Sequence, residues 1–369
     1  MLACIKAICL QAWMKSLAHD ANISMPESPS VKHIALWQFG GLGDMLLATP
    51  VIRALGEAWP EAEIHIWCST PRFAAFLKRF ANVKAIHAFP VYEFDNRTLL
   101  ASNMRDRLYA VREEMRTVAP DVLINLHVPA LLDWWAVEWW LVKQLSVPCS
   151  LGFNPRFLTR RSVFDVSLNA SARDGIHYTA LYRKLLDKAG ISCDARTVFP
   201  LGDEQRAGAA SLLAEHDPAA RQRVCMHIGG NRLALEHRLW PVERFAELAR
   251  QLIALGFAPV LIGVEGERAM GKALCDRVPD CINLIGQTGI EEMAALIAES
   301  DGFIGQDSGP SHVAAAVGTA CVVICGRPDA EPEYLNYGRS DVAVLTANSP
   351  ELIQVDTVLQ RALGLLLHA

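Results

Sequence analysis

From Lys32 onward the chain alternates short, unbroken apolar runs with longer stretches whose apolar residues recur every three or four positions. Residues 33–38, HIALWQ, form the first run, and it ends at the glycine turn FGGLGD (39–44). MLLATPVIRALGEAW (45–59) then carries Leu46, Val51, Leu55 and Trp59 at helical spacing, and EAEIHIWCS (61–69) returns as a strand. Strand, turn, helix and strand within about 40 residues make a βαβ unit and predict parallel pairing. Further strands are expected near 84–89 and 122–126, with a long helix from Asp133 to Leu145. HYTALYRKLLDKAGI (177–191) reads as a helix stopped by Gly190 in the left-handed region.

Residues 195–222 read as a polar, loop-like stretch, after which the alternation resumes. VCMHIGG (224–230) precedes the helix PVERFAELARQLIALG (241–256), and the strand APVLIG (258–263) precedes a helix from Glu265. NLIG, the helix IEEMAALIAES, the strand GFIG, the helix SHVAAAVG and the strand CVVICG follow in order to Gly326. Strands apolar along their whole length belong to a parallel sheet covered on both faces. The fold class is therefore α/β, with two Rossmann-like doubly wound domains expected to face a central cleft. The expected boundaries are an N-terminal extension over 1–30, a first domain over 31–200 and a second over 201–369. The last helix is a candidate to pack back on the first domain.

A chain of 369 residues accommodates two domains of ordinary size. Charged residues at 20% and apolar ones at 51% exclude disorder. A net charge of −5 argues against nucleic acid as a partner. Ten cysteines sit mostly inside apolar runs, with no C-x-x-C pair, and read as reduced cytosolic thiols; no metal centre is expected from them. Residues 1–17 are largely apolar but too short to span a bilayer. An interfacial helix on the membrane, a helix packed on the protein, and an extension upstream of the domain all fit them.

Three places carry chemistry. Asp44 follows Gly43 at the first turn of a helix, where the dipole favours a carboxylate; it is either a cap or a base that accepts a proton from a substrate hydroxyl. The turn lacks the third glycine of a dinucleotide fingerprint, since Leu46 stands there, and the second strand ends without a ribose-binding acid. The second place is the loop HIGGNRLALEHRLWP (227–241). Gly229 and Gly230 expose N–H groups after a strand, and Arg232, His237 and Arg238 bring cationic or donor side chains suited to a phosphate. Glu267, in GVEGERAM, is placed to hold ribose hydroxyls. The third is GQDSGPSHVAAAVGTACVVICG (305–326). Gly309 and the N-terminal N–H groups of the helix beyond it are placed to form an anion pocket, Asp307 is placed to accept sugar or ribose hydroxyls, and His312 either bonds the ligand or braces the loop.

Together, GDMLLATPVIRALGEAWP (43–60) and the run from Asn283 to Gly326 resemble glycosyltransferase family 9, the heptosyltransferases of lipopolysaccharide inner-core assembly. The resemblance extends over nearly all of the chain from Lys32. It implies a two-domain glycosyltransferase B fold and inverting, metal-independent transfer from a nucleotide-sugar donor, ADP-heptose, which is substrate rather than cofactor. It makes Asp44 the general base, Asp307, Ser308 and Gly309 donor ligands, and Glu267 the ribose candidate. The family's usual lysine two residues before the Trp-Pro of the phosphate loop is Arg238 here, in a longer loop, so Asn231, Arg232 and Arg238 all stay open for the diphosphate.

The expected acceptor is a lipid-linked or surface glycan, which points to a cytoplasmic enzyme with peripheral membrane contact. LLDWWAVEWWLVKQL (131–145) holds Trp134, Trp135, Trp139 and Trp140, readable as buried packing or as indoles at a bilayer surface. Arg156, Arg160 and Arg161 are candidates to meet acidic groups of the acceptor, and Gly43 lies beside it. A nucleotide-sugar epimerase or hydrolase of the same shape, and a non-catalytic nucleotide-sugar-binding protein, are the alternatives.

Overall fold

The computed structural model describes residues 31–93, 102–129, 135–155, 162–172, 174–217, 219–230, 239–328, 334–335 and 337–367. The expectations for the N-terminal extension, Trp134, Asn231, Arg232, His237, Arg238, Arg156, Arg160 and Arg161 fall outside these residues. The chain divides into two compact units, the first ending at Ala195 and the second beginning at Arg196.

The first unit is a six-stranded sheet in the order β3-β2-β1-β4-β5-β6, every pair parallel. Its strands are β1 (His33–Trp37), β2 (Glu63–Cys68), β3 (Val83–Ala88), β4 (Val122–Asn125), β5 (Cys149–Asn154) and β6 (Val166–Asn169). The apolar stretch after β1, read as one helix, is two: α1 (Leu42–Leu47) and α2 (Thr49–Ala58). Pro50 has no N–H to give the Leu46 carbonyl, and the Thr49 hydroxyl takes that carbonyl instead at 2.7 Å, so the axis breaks there. Beyond them lie α3 (Ser102–Val118), α4 (Trp135–Leu145) and α5 (Tyr178–Lys188). Gly190, at φ +78°, ends α5 as the sequence leads one to expect. Trp37, Trp67, Phe89, Trp139 and Phe164 fill the core of this unit.

The second unit holds α6 (Asp203–His216), then β7 (Arg223–His227), α7 (Val242–Ala254), β8 (Ala258–Ile262), α8 (Arg268–Cys275) and β9 (Ile282–Asn283). After these come α9 (Ile290–Ala298), β10 (Gly302–Gln306), α10 (Gly309–Val317), β11 (Cys321–Cys325), β12 (Val342–Thr346) and α11 (Val355–Leu366). The sheet order is β12-β11-β10-β7-β8-β9, again wholly parallel. Counted from its own first strand, each unit has the order 3-2-1-4-5-6, which is the dinucleotide-fold pattern. Strands β8, β10 and β11 are buried at every position, as their unbroken apolar sequences require, while the edge strand β12 is half-buried.

Two expectations change. The stretch read as loop between 195 and 222 contains the helix α6; only Ala209 and Leu213 of it are buried, so no apolar stripe announced it. The helix expected from Glu265 begins with a 3-10 turn over Glu265–Glu267 and becomes α-helical at Arg268. The last helix, α11, packs on α7 and β11 of its own unit.

Candidate active site

In both units the strand order reverses beside the first strand, between β1 and β4 and between β7 and β10. Ligands of open α/β sheets bind at the carboxyl ends of strands at such a point. Those predicted residues that are described lie near such strand ends, each within its own unit.

In the first unit β1 runs out through Gln38 into the turn that carries Asp44. Gly40 adopts φ +111°, and a Cβ there would collide with the Asp44 carboxylate, so glycine is needed for conformation and for space. Asp44 Oδ2 accepts the Gly41 N–H at 2.8 Å, while the Gly40 N–H donates to the Ser69 hydroxyl at 3.1 Å. Burial of the carboxyl raises the Asp44 pKa from 3.8 to about 6, the backbone N–H groups of Gly41 and Asp44 opposing it only in part. Asp44 thus occupies a capping position in the first turn of α1, while burial lifts its carboxyl into a range where it can also exchange a proton. Gly43 lies beside it in the first turn of α1.

Sequence reasoning missed several neighbours. Gln38 is buried and its amide donates to the Asp44 carbonyl at 2.7 Å and to the Tyr182 hydroxyl at 3.3 Å, tying α1 to α5. Tyr92, 60% exposed, has its pKa raised, first by partial desolvation of the phenol and then by the Asp44 charge. At the end of β4, His127 Nδ1 lies 2.9 Å from Glu138 Oε2, which also accepts from the Asn125 amide at 3.1 Å; Glu138 is 2% exposed.

In the second unit Glu267 and His227 form the centre. Glu267 is 5% exposed; its Oε2 accepts the Val264 N–H at 2.9 Å and lies 3.4 Å from His227 Nε2. Burial pushes its pKa up, yet the His227 hydrogen bond and charge, with the N–H groups of Val264 and Gly230, bring it below the ordinary value, so it stays ionised. A Cβ on Gly229 would land on Oε1 and one on Gly263 on Oε2: both strand-end glycines exist to admit this carboxylate. The other nitrogen of His227, Nδ1, meets the Ser308 hydroxyl at 3.1 Å. Glu267, His227 and Ser308 thus form one chain across the ends of β8, β7 and β10.

Ser308 caps α10 from extended backbone, and Gly309 opens the helix, so its first-turn N–H groups face the strand ends. Asp307 is ion-paired to Arg327, a residue the sequence analysis did not single out. His312 is 7% exposed with Nδ1 at 2.6 Å from the Tyr337 hydroxyl, a contact that ties the loop to Tyr337. Gln306 was missed as well. Its amide donates to the Ile228 and Gly229 carbonyls at 2.9 and 3.0 Å, and its oxygen accepts the Trp240 N–H, so one side chain clamps both ends of the phosphate loop. Gln38, His227 and Gln306 share one signal: a polar residue closing an otherwise apolar strand.

The tryptophan helix is largely internal. Trp139 is 1% exposed in the core, and Trp140 packs beside Tyr109 and Arg112, so the bilayer reading of Trp139 is replaced by packing. Among the described residues no helix is long and apolar enough to cross a membrane.

Each unit thus carries its polar side chains at the strand ends of a Rossmann-like sheet, the place where open α/β enzymes bind ligands. The model of glycosyltransferase family 9 (heptosyltransferase) matches residues 140–358. The chain belongs to that family and is a glycosyltransferase. It is 24% identical over 318 residues to the lipopolysaccharide heptosyltransferase 2 of Escherichia coli K12, covering 81% of this chain and 84% of that one. Its fold matches a family 9 glycosyltransferase from Veillonella parvula at TM-score 0.69 and 19% identity, over 96% of this chain and 100% of the other. It also matches the E. coli ADP-heptose lps heptosyltransferase II at TM-score 0.65 and 19% identity, over 91% and 99%.

Proposed function

We propose that the enzyme moves a heptose from ADP-heptose to a lipopolysaccharide inner-core acceptor, with inversion and without a metal ion. Family membership supports the transfer, and the similarity to the E. coli ADP-heptose lps heptosyltransferase II supports the donor. The observation that carries the reading is the Glu267–His227–Ser308 chain at the second unit's switch point; Asp44, within the first unit, is the candidate base.

In this reading Asp44 takes the proton of the acceptor hydroxyl as that oxygen attacks the anomeric carbon from the face opposite the diphosphate. The C–O bond to the diphosphate breaks, and the leaving group departs as ADP. Its developing charge is met by the N–H groups of Gly229, Ser308 and Gly309, by the α10 dipole, and by a donor among Asn231, Arg232 and Arg238, while the Gly230 N–H stays on Glu267. Glu267 Oε1 accepts from the ribose hydroxyls while Oε2 stays on Val264 and His227. Asp307, steadied by Arg327, accepts from the heptose, and His312 braces the loop through Tyr337. The engagement of the strand-end acids, Glu267 with His227 and Asp307 with Arg327, supports transfer without a metal ion. Arg156, Arg160 and Arg161 remain assigned to the acceptor on sequence grounds, with the work done at the cytoplasmic face of the membrane.

Thermal denaturation with a panel of nucleoside diphosphates and nucleotide sugars tests this, since tight binding to the folded state raises Tm. ADP and ADP-heptose are expected to shift Tm and the uridine and guanosine analogues not. Stabilisation by a uridine sugar alone, or donor hydrolysis that no glycan acceptor accelerates, refutes it.

A further inference from the structure

At the opposite end of the first sheet, where β1 and β2 begin, three side chains converge that the transfer reaction does not use. His33 stands beside Glu63 in the parallel register, and His65 is two residues further along β2, so all three project from one face. Glu63 Oε2 is 3.9 Å from His33 Nδ1 and 3.9 Å from His65 Nε2, and one ligand atom from each residue lies within 4.8 Å of the others. His33 Nδ1 is buried and finds no hydrogen-bond partner among the described residues. An unsatisfied buried ring nitrogen aimed at a carboxylate calls for an explanation.

A second layer fixes the rings. His87 Nδ1 meets Glu114 Oε1 at 2.8 Å, so it carries a proton there; His87 Nε2 then accepts from His65 Nδ1 at 3.1 Å. That chain leaves the His65 Nε2 lone pair directed at Glu63. A carboxylate–histidine relay behind a ligating imidazole is the usual outer support of a protein metal site. Trp67 stacks on His87 with ring centroids 4.4 Å apart and holds the relay in plane. Lys84 takes Glu63 Oε1 at 2.8 Å, leaving Oε2 for the imidazoles.

We infer that His33, Glu63 and His65 form a binding site for a divalent transition-metal ion of the zinc class. A point equidistant from the three ligand atoms lies about 2.5 Å from each, against about 2.0–2.2 Å in bound zinc, so each side chain closes in by a few tenths of an ångström. Two imidazoles and a carboxylate suit zinc, copper or nickel over magnesium or calcium. The site is half-buried, which lets water complete the coordination. Five residues of β1 at about 3.3 Å each separate His33 from Gln38, so the ion sits roughly 16 Å from the Asp44 turn and staples two strands instead of touching substrate.

The test uses the full chain without a histidine tag, stripped with chelator and titrated with zinc chloride by calorimetry; cobalt(II) in parallel gives a visible absorption band. One equivalent of zinc is expected, with a zinc-dependent rise in Tm. His33→Ala and Glu63→Gln should each weaken binding at least tenfold, and His33→Ala should keep heptosyl transfer unchanged. Glu63→Gln preserves side-chain shape, so it decides the matter if a histidine variant fails to fold. Equal zinc affinity in Glu63→Gln and the parent, or no zinc-dependent Tm shift in the parent, overturns the assignment.

Discussion

Replacing Asp44 by Asn separates the two things its carboxylate does. Its pKa is raised from 3.8 to about 6, so the folded chain holds that proton more tightly than the unfolded chain does. The sign follows: this group's contribution favours the fold most below pH about 4, and is lost as the pH climbs to about 6. Above that the ionised carboxylate is a standing cost. A rise of this size corresponds to about 3 kcal/mol at 1.36 kcal/mol per pH unit, and screening of a half-buried residue brings it to about 1–3 kcal/mol. Asn keeps an oxygen for the Gly41 N–H and carries no charge, so Asp44→Asn should raise Tm at pH 7 by about 2–4 °C per kcal/mol. The same change removes the proposed base and should cut turnover by about 10²–10⁴-fold. The assays are thermal denaturation from pH 4 to 8 and transfer from ADP-heptose over the same range. The gain in stability should grow from pH 4 to 6 and then level off, and parental activity should fall as the pH drops through about 6. A variant that is less stable at pH 7, or that turns over normally, refutes the reasoning.

Gln306→Ala strands the Ile228 and Gly229 carbonyls and the Trp240 N–H, at about 1–3 kcal/mol for each buried group; denaturant unfolding should show a loss of at least about 3 kcal/mol, with a raised KM for donor. Gly229→Ala drives a methyl group into the Glu267 carboxylate and should weaken ADP binding by about tenfold or more in calorimetry. Trp139→Ala empties a core position and should cost about 3–5 kcal/mol, while Trp140→Ser costs far less; vesicle association is expected to be the same for Trp140→Ser and the parent.

What the sequence made legible followed local chemistry. The βαβ start, the Gly-Asp turn and the Ser308–Gly309 helix opening are each written within a few residues, because strand length, glycine and helix capping are short-range effects. Gln306 stayed hidden because its partners lie 77 and 78 residues back, brought near only when β10 pairs with β7. Arg327 and Glu138 were hidden for the same reason: a charge is noticed in a sequence when it sits in a motif, and these acquire meaning from a neighbouring strand. The helix break at Pro50 was legible in principle, since a proline whose i−4 carbonyl is capped by the preceding threonine cannot continue an axis. The tryptophans misled in part because composition reports how many indoles there are, and only packing reports which way they turn.

Every strand of each sheet comes from one contiguous half of the chain, and each half closes its own core. That modularity makes the junction at Ala195 and Arg196 a natural seam for building chimaeras. A hybrid carrying the front half of one transferase and the rear half of another should inherit its sugar-nucleotide preference from the rear parent and its glycan preference from the front, so the two specificities can be bred independently.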